Sequence, residues 1–501
     1  MAQSYIENIY SKEAVRQLFL LKLLYNSPQA VDIETLTFQM AMDRRSIYKT
    51  IEQLKAIMEE ERLKTEIHVS SRGEYTYMGN KIDYYRLRGL IVKDEPMMHL
   101  AKRFLEGRRI SFSEFCAEHF MSESTFKRYV GKANTLLKSL GIRISIKKNE
   151  IEVQGSEANI RYSLISFFWR AYHGVSWPFK NINEIHVHHT IDKLLRYSEH
   201  ISYGKKRQLS YFFAVYILRA QAGFTVEKEE LPPYFERLVY TNPIFERFST
   251  KFVERFPLEK QELGFIYLSL YIFPNSYNYI QKSSETIEIL TNQGYDSYSS
   301  IKNFVAFIKE KHPDFDITAP EKKDFVAMLI ASRIFIDIFD NVYFNSSALS
   351  IFSYAQKNFP HLLPRIQEGI KKFEPDLSSN NLKALSLRYA QAYVMEFSPR
   401  DFEPKIYILL ETDMPMYTDR IMQERLNAIL SAKFNYQWVK SEEKVLPDLL
   451  FATGMTADKF SKVPTVYINA EVSKKDKDAI IKACEKIVEE KETKKKIKNK
   501  K

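Results

Sequence analysis

The amino-acid sequence predicts a mainly α-helical protein of several domains that ends in a small α/β domain. With 501 residues, the chain is long enough for about three to five domains. Glycine supplies only 14 of these residues, well below the roughly 7% of an average protein, which disfavours turn-rich all-β folds and glycine-rich phosphate loops. Hydrophobic residues make up 45% of the chain, and their helical spacing dominates the first four fifths of it.

Residues 1–80 follow the element order of a winged helix-turn-helix. Apolar residues at helical spacing predict three helices, at residues 11–25, 33–40 and 44–61. Four positions of the third helix face inward: Ile47, Ile51, Leu54 and either Ile57 or Met58. Two short alternating segments then flank Ser70–Gly73, which predicts a β-hairpin that forms the wing.

The same order recurs in residues 81–155. A helix near residues 95–105 precedes a short helix that Ser113 is expected to cap, and Ser122 opens a longer helix that Gly141 closes. The expected buried stripe of the longer helix is Phe126, Val130, Ala133, Leu136 and Leu137. A strand, a turn and a strand follow, so this segment is predicted to be a second winged helix-turn-helix.

The front of each longer helix carries residue types that bind duplex DNA. In a recognition helix, Arg reads guanine edges, while hydroxyl groups and Lys contact phosphates. The candidates are Arg44, Arg45, Ser46 and Lys49 in the first unit and Ser122, Ser124, Thr125, Lys127, Arg128 and Lys132 in the second. A solvated helix face is the alternative for either unit alone. Two units, each followed by a wing, favour double-stranded DNA in promoter regions as the partner.

Positive charge is concentrated in two places. Residues 101–150 hold 11 basic and 5 acidic residues, a net +6, and coincide with the second helix-turn-helix unit. Residues 491–501 hold seven Lys and one Glu, again a net +6, within a chain whose total is +11. We expect this basic tail to be solvated and disordered, because like charges repel and no apolar residues anchor it.

No pattern in the sequence points to an enzyme, a cofactor or a metal. The chain contains no GxSxG, HExxH, GxGxxG or P-loop pattern. His186, His188 and His189 cluster, but no further ligand follows at metal-binding spacing, so a solvated or partly packed segment is favoured.

The two cysteines, Cys116 and Cys484, lie far apart and suit a reducing compartment. With a polar start and no apolar run near the ~20 residues of a membrane span, we expect a cytoplasmic protein.

The remaining chain divides at Ser398-Pro399-Arg400. Residues 156–283 and 284–398 are almost entirely amphipathic helix, and the two stretches follow one plan. Beyond the boundary, residues 399–490 alternate strands with helices, which predicts a small parallel α/β domain. Its closing helix is expected at residues 474–490, ahead of the basic tail.

Three motifs resemble those of Mga/AtxA-type virulence regulators. Gly155 to Arg161 reads G-x-E-x-x-I-R, the junction that joins DNA-binding units to regulation domains of the phosphotransferase system (PTS) in that family. Arg219 to Gly223 and Leu258 to Ile266 resemble motifs of those domains. The resemblance implies two all-helical PTS regulation domains, at residues 156–283 and 284–398, and an enzyme IIB-like domain at 399–490. It also implies a transcriptional regulator that dimerises through its C-terminal region and responds to a PTS phosphocarrier.

The chain departs from its relatives at the phosphorylated positions. The four positions where the family carries His are Phe212, Ser269, Val326 and Arg388, and none can accept a phosphoryl group on an imidazole. The loop that should hold the phosphocysteine reads Leu410 to Met414 and has no Cys. The remaining regulatory candidates are His200 first, then His186, His188 and His189, with a plain surface His as the alternative.

Two other functions compete with transcriptional regulation. A PTS phosphocarrier needs the acceptor His and Cys residues, which the aligned positions lack. An RNA-binding antiterminator needs a small β-type RNA-binding module at the N-terminus, where this sequence predicts helical units. Both are therefore disfavoured relative to a DNA-binding regulator.

Overall fold

The computed structural model describes residues 9–107, 109–194, 202–272, 296–342, 356–440 and 445–498, with side chains described in these ranges except at 296–298 and 495–498. The protein is mainly helical with small sheets, as predicted. It comprises two compact units, of which the first runs to Ala348 and includes Leu377–Leu385. The second contains Leu349–Asp376 and the chain from Ser386 onward.

The first unit opens with the expected three helices and hairpin. These elements are α1 (Lys12–Asn26), α2 (Ile33–Met40), α3 (Arg44–Glu60), β1 (Glu66–Val69) and β2 (Tyr75–Met78). Strands β1 and β2 pair antiparallel. Each helix begins at a side-chain N-cap, supplied by Ser11, Asp32 and Asp43. Helix α3 buries Ile47, Ile51 and Leu54 as predicted, and Met58 rather than Ile57 completes the face.

A helix that the sequence analysis missed, α4 (Lys81–Val92), separates the two helix-turn-helix units. Asn80 and Asp83 form a reciprocal capping box at its start, and this N-x-x-D spacing was the available signal. Helix α4 packs against α1 and α3 on one side and against a later helix, α8 (Glu157–Tyr172), on the other. A Cβ on Gly89 would lie 2.9 Å from the Tyr172 ring, so glycine permits this close approach.

The second helix-turn-helix unit contains α5 (Pro96–Glu106), β3 (Ile110–Ser111), α6 (Phe112–Glu118), α7 (Glu123–Leu137), β4 (Arg143–Lys147) and β5 (Glu150–Gln154). The three strands form an antiparallel sheet in the order β3-β5-β4. The expectation that Ser113 caps α6 is wrong. Ser111 is the N-cap, and Ser113 is the second residue of the helix. The Ser113 hydroxyl accepts a hydrogen bond from Asn149 Nδ2 at 2.9 Å.

The buried stripe of α7 is also shorter than expected. Phe126, Val130 and Ala133 are buried, whereas Leu136 and Leu137 are partly exposed. The chain tightens into a 3₁₀ turn at Lys138–Leu140, which rotates the last apolar side chain inward at Leu140. Gly141 then ends the segment with a φ of +67°, as its predicted role requires.

Helices follow the second wing, in agreement with the predicted helical region. They are α8, α9 (Glu184–Leu194), α10 (Tyr203–Gln221), α11 (Phe235–Tyr240), α12 (Pro243–Val253), α13 (Lys260–Leu270), α14 (Asp296–Lys309) and α15 (Lys323–Ile338). Helix α10 is buried from Leu209 to Arg219 without a break. A helix that is buried on every side is expected where other helices surround it.

A buried network of four charged side chains lies where α8, α10 and α13 meet. Glu157, Arg161, Arg219 and Glu262 are each at most 7% exposed. Glu157 Oε1 accepts hydrogen bonds from Arg161 Nε and from Arg219 Nε, both at 2.9 Å. Arg161 Nη1 reaches Glu262 Oε2 at 2.6 Å. Each charge is therefore paired, which is the condition for burying ions.

The network also satisfies backbone groups of its neighbours. Arg161 Nη2 donates to the Phe224 carbonyl at 2.7 Å, and the Val226 amide donates to Glu262 Oε1 at 2.7 Å. Arg219 Nη1 donates to the carbonyl of Phe104, at the end of α5. The second helix-turn-helix unit is thereby hydrogen-bonded to the helical region through α10.

The second compact unit ends in an all-parallel sheet, as predicted. Its elements are α16 (Leu362–Phe373), the later part of α17 (Ser379–Glu396), β6 (Ile406–Glu411), α18 (Met416–Leu430), β7 (Tyr436–Trp438), β8 (Leu449–Ala452), β9 (Thr465–Tyr467) and α19 (Lys474–Lys498). The strand order is β7-β6-β8-β9. Cys484 lies in the core, where burial raises the pKa of its thiol to about 12.

Two further findings concern the ends of expected segments. Helix α19 continues to Lys498, so the prediction of a disordered tail from residue 491 is wrong for residues 491–498. Glu490 and Glu492 stand four residues before Lys494 and Lys496, a spacing that supports a helix past residue 490. In the part of the chain that the structure describes, no helix is long and apolar enough to cross a bilayer.

We expect Glu157→Gln to lower the free energy of unfolding by about 3–5 kcal/mol, because it leaves two buried guanidinium groups short of a counter-charge. Urea denaturation followed by tryptophan fluorescence measures this, since Trp169 lies on α8 itself. The control is Glu52→Gln, which breaks an exposed ion pair with Lys55 at 3.0 Å and should leave the urea midpoint unchanged. Equal midpoints for both variants would contradict the stabilising role of the network.

Candidate nucleic-acid interface

The two helix-turn-helix units share one turn geometry. In the first unit, Ala41 has a φ of +51° and the Met42 amide donates to the Thr37 carbonyl at 3.3 Å. In the second, Phe120 has a φ of +48° and the Met121 amide donates to the Cys116 carbonyl at 3.0 Å. This six-to-one hydrogen bond after a left-handed residue is a Schellman ending, and it orients each following helix alike.

The shared turn fixes a residue-by-residue correspondence between α3 and α7. The N-caps Asp43 and Ser122 correspond, and four residues later Ile47 and Phe126 are both fully buried. In this register the second unit carries Lys127 and Arg128 where the first has Tyr48 and Lys49. The second helix therefore presents one more positive charge at this point.

The first unit's candidates differ in how far they are available to a ligand. Arg44 is ion-paired with Glu34 of α2. Ser46 takes part in the cap, since its hydroxyl donates to Asp43 Oδ2 at 2.7 Å and its amide to Oδ1 at 2.9 Å. These hydrogen bonds lower the pKa of Asp43. Arg45 and Lys49 are exposed and have no ion pair within the described ranges.

In the second unit, the three hydroxyl candidates are joined to one another. Ser122 Oγ lies 3.0 Å from both Ser124 Oγ and Thr125 Oγ1, and it accepts the Thr125 amide at 3.2 Å. Ser122 and Thr125 thus cap α7, while Ser124 remains exposed.

The basic candidates of α7 lie on its exposed surface. Lys127 Nζ lies 3.3 Å from Glu123 and 5.1 Å from the centre of the Phe112 ring. Lys132 lies over the Tyr129 ring at 5.7 Å. Arg128 is exposed, and the described residues offer its guanidinium no hydrogen-bond or ion-pair partner. It is therefore the cation of α7 most available to a phosphate or a base edge.

The second wing adds basic residues that the sequence analysis did not select. Lys148 and Asn149 have φ values of +46° and +63°, as a two-residue hairpin turn requires, and Lys147 and Lys148 are exposed. Lys127 of α7 and two residues of β4, Arg143 and Lys147, line one open groove. The Lys-Lys-Asn turn shows this charge in the sequence, but its spacing from α7 does not reveal that the two lie side by side.

A side-chain clamp fixes this wing to the recognition helix. Asn134 of α7 donates from Nδ2 to the Ile144 carbonyl at 2.8 Å and accepts the Ile144 amide on Oδ1 at 2.7 Å. The paired hydrogen bonds replace a strand partner for β4 at this residue. Helix α7 and the wing therefore present their cations as one surface. At the first wing, the tip carries a single basic residue, Arg72.

The His cluster on α9 does not converge on one point. His188 is partly buried and lies 3.7 Å from Glu184 one turn earlier, and burial lowers its pKa. His189 is exposed and His186 is intermediate. Among the residues that the structure describes, no group of three or more His, Cys, Asp or Glu could hold a metal. His200 lies outside the described residues.

The positions aligned with phosphorylated His belong mostly to the core. Phe212 and Ser269 are at most 1% exposed, and Val326 is 5% exposed. The centroids of the Phe212 and Tyr216 rings lie 4.1 Å apart, and the Tyr216 hydroxyl lies 3.2 Å from Ser269 Oγ. Arg388 is partly exposed. In the α/β domain, Asp413 follows β6 where the phosphocysteine loop was expected, and its Oδ1 accepts a hydrogen bond from Thr453 at 2.7 Å.

Two helix-turn-helix units with exposed cations on the recognition helices define a DNA-binding transcriptional regulator. Comparison with known proteins agrees. Residues 81–168, from the start of α4 into α8, match the Mga helix-turn-helix domain. The chain is 19% identical over 359 residues to the capsule synthesis positive regulator AcpB of Bacillus anthracis, a match that covers 69% of this chain and 70% of that protein.

A second relative is a predicted trans-acting regulator of Streptococcus pneumoniae serotype 4. It is 20% identical over 178 residues, which cover 36% of this chain and 35% of that protein. Together these matches confirm the resemblance to Mga/AtxA-type regulators, which are transcriptional regulators and not enzymes.

Proposed function

We propose that this chain regulates transcription by binding promoter DNA through both helix-turn-helix units, with the second unit supplying most of the electrostatic attraction. The observation that carries the proposal is the groove between α7 and the second wing, where Lys127, Arg143 and Lys147 come from two elements held together by Asn134. A rigid pair of cationic elements suits a phosphate backbone, whose charges are regularly spaced.

The second unit is favoured over the first because its wing adds cations. Each recognition helix has one cation that is already ion-paired, Arg44 with Glu34 in α3 and Lys127 with Glu123 in α7. At the front of α7, Arg128 is exposed, and Lys148 extends the positive surface to the tip of the wing. In this proposal the first unit positions the protein on the duplex, and the second contributes more of the salt-dependent affinity.

The double variant Lys127→Ala with Arg128→Ala should weaken binding to duplex DNA. For each phosphate contact that is lost, binding releases about one counterion fewer from the DNA. The slope of log K against log salt concentration should therefore flatten by about one per lost contact. Fluorescence anisotropy over a salt series measures both effects. The matched control is Lys474→Ala with Lys475→Ala, which removes two exposed charges from the start of α19.

The corresponding change in the first unit is Arg44→Ala with Arg45→Ala, for which we expect a smaller loss. An affinity equal to that of the parent, with an unchanged circular dichroism spectrum, would remove the unit concerned from the DNA-binding account. Competition with single-stranded RNA separates this function from antitermination, because an RNA-binding protein would favour that competitor.

We further propose that the chain forms a homodimer through its C-terminal α/β domain. Dimeric helix-turn-helix proteins bind paired half-sites, so a dimer suits the proposed DNA binding. The support is a set of exposed apolar side chains at the carboxyl edge of the parallel sheet. Met416 and Tyr417, at the start of α18, are 87% and 77% exposed, and Met455, just after β8, is 99% exposed. Covering such residues is a common use of a subunit interface.

Tyr417→Glu combined with Met455→Glu should convert the dimer to a monomer, because it would bury two negative charges in the apolar contact. Sedimentation velocity reports the change. The control is Leu446→Glu, which lies before β8, at the amino edge, and is 80% exposed in the monomer. A Tyr417 and Met455 variant that remains dimeric would place the interface elsewhere.

Any link to the PTS must in our proposal avoid the four positions where the family carries His. Phe212, Ser269 and Val326 are buried and have no imidazole, and Arg388 likewise offers no imidazole to a phosphohistidine relay. A phosphohistidine adds up to about two negative charges, which can change how helices pack. The accessible alternatives are His189 and His186 on α9, with His200 as the first candidate from the sequence.

Incubation with the general PTS phosphocarrier and phosphoenolpyruvate should leave positions 212, 269, 326 and 388 unlabelled. We expect any label to be lost in His200→Ala, or otherwise in variants of His186, His188 and His189, since these retain an imidazole in the first regulation domain. Peptide mapping by mass spectrometry locates the label. Full labelling that survives removal of all four His residues would overturn this assignment.

A further inference from the structure

Phe120 has an unusual combination of backbone and side-chain features. It occupies the turn between α6 and α7 with a φ of +48°, and its side chain is 98% exposed. The left-handed region is strained for a residue with a Cβ and favours Gly or Asn. A phenyl ring in water also forgoes the hydrophobic gain that burial gives it. Neither its backbone nor its side chain benefits the fold at this position.

The first unit shows that the turn does not need the ring. Ala41 occupies the same place with a φ of +51° and precedes the same six-to-one hydrogen bond. The core beneath the second turn is filled by other rings, since Phe115 and Phe126 are fully buried and pack 5.2 Å apart. Phe120 is therefore an addition to a turn that is complete without it.

The residues around Phe120 indicate what kind of partner its exposed ring would contact. Phe120 lies two residues before Ser122, the N-cap of the recognition helix, and the exposed residues that follow are polar or charged, including Ser124, Lys127 and Arg128. A protein-docking site would be expected to continue as an apolar patch. A single exposed ring just ahead of a helix that carries exposed cations and hydroxyls instead suits a nucleic acid, which offers apolar carbon next to phosphate.

We propose that Phe120 is a DNA-contacting residue whose ring packs against apolar carbon of the duplex as the front of α7 enters the major groove. This inference rests on the proposed function of the chain. The matching groups on DNA are the C5-methyl of thymine and the carbons of deoxyribose. The contact adds no charge, so it contributes affinity that salt does not screen.

The test compares the parent chain with Phe120→Ala, the residue that the first unit already carries in this turn. The probe is a short A·T-rich duplex with a fluorescent label, and anisotropy gives affinity over a salt series. We expect Phe120→Ala to weaken binding about tenfold with the same salt slope, because no charge is removed. Its melting temperature should match or exceed that of the parent, since the side chain makes no contribution to the core.

Tyr203→Ala is the matched control, because Tyr203 is a 69% exposed aromatic residue at the start of α10, outside both helix-turn-helix units. It should bind as the parent does. The same duplex with uracil in place of thymine distinguishes the two DNA groups. If the uracil duplex weakens the parent but not Phe120→Ala, the ring contacts the methyl. If both respond equally, it contacts deoxyribose.

Two results would overturn the inference and differ from a failure of the proposed function. If the parent binds duplex and Phe120→Ala binds equally well, Phe120 has no part in the contact. If Phe120→Ala binds weakly and also melts at a lower temperature, the ring stabilises the fold instead. A parent chain that binds no duplex at all would instead reject the DNA-binding function itself.

Discussion

Four charged side chains closed off from water set the arrangement of the first compact unit. Arg161 and Arg219 can remain buried only while Glu157 and Glu262 stay within hydrogen-bonding distance, because an unpaired buried charge costs far more than a lost surface ion pair. The network fixes the positions of α8, α10 and α13 relative to one another. Through the Phe104 carbonyl it also holds the end of α5. Movement of any one helix would leave a partner unsatisfied.

This constraint gives the helical region a physical route to the DNA-binding surface. Gly107 ends α5 with a φ of +67°, and a Cβ there would lie 2.7 Å from the Cβ of Ala222, just after α10. Asn159 of α8 donates from Nδ2 to the Leu140 carbonyl at 3.0 Å, at the end of the recognition segment. A change in how α8 and α10 pack would thus reach both ends of the second helix-turn-helix unit.

Local patterns were sufficient to predict most elements, and failures arose where a long-range contact decides the outcome. The buried stripe of α3 and the parallel strands follow from periodicity, which is a local property. Motif residues Glu157, Arg219 and Glu262 were recognised in three separate segments, but only folding shows that they share one network. Likewise, Ser111 replaces Ser113 as a cap because β3 pairs with β5, a partner some 40 residues away.

The candidate site shows the same division. The exposed positions Arg45, Lys49 and Arg128 could be assigned from their place on a helix. Sequence spacing could not reveal that Arg44 is occupied by Glu34, or that Asn134 brings Arg143 and Lys147 beside α7. These are side-chain contacts between elements, and the residues involved have no common spacing along the chain.

The division of the chain into two units has a consequence for its synthesis. Residues 377–385 belong to the first unit, although the segment before them belongs to the second. On a ribosome, the first unit therefore stays incomplete until Leu385 has emerged. The start of α16 is also incomplete until Glu403 has been synthesised. His361 precedes this helix, and Glu403 accepts hydrogen bonds from the His361 amide at 2.9 Å and from its ring. Two partly formed units coexist on the nascent chain, with apolar faces that remain open to chaperones until the parallel strands arrive.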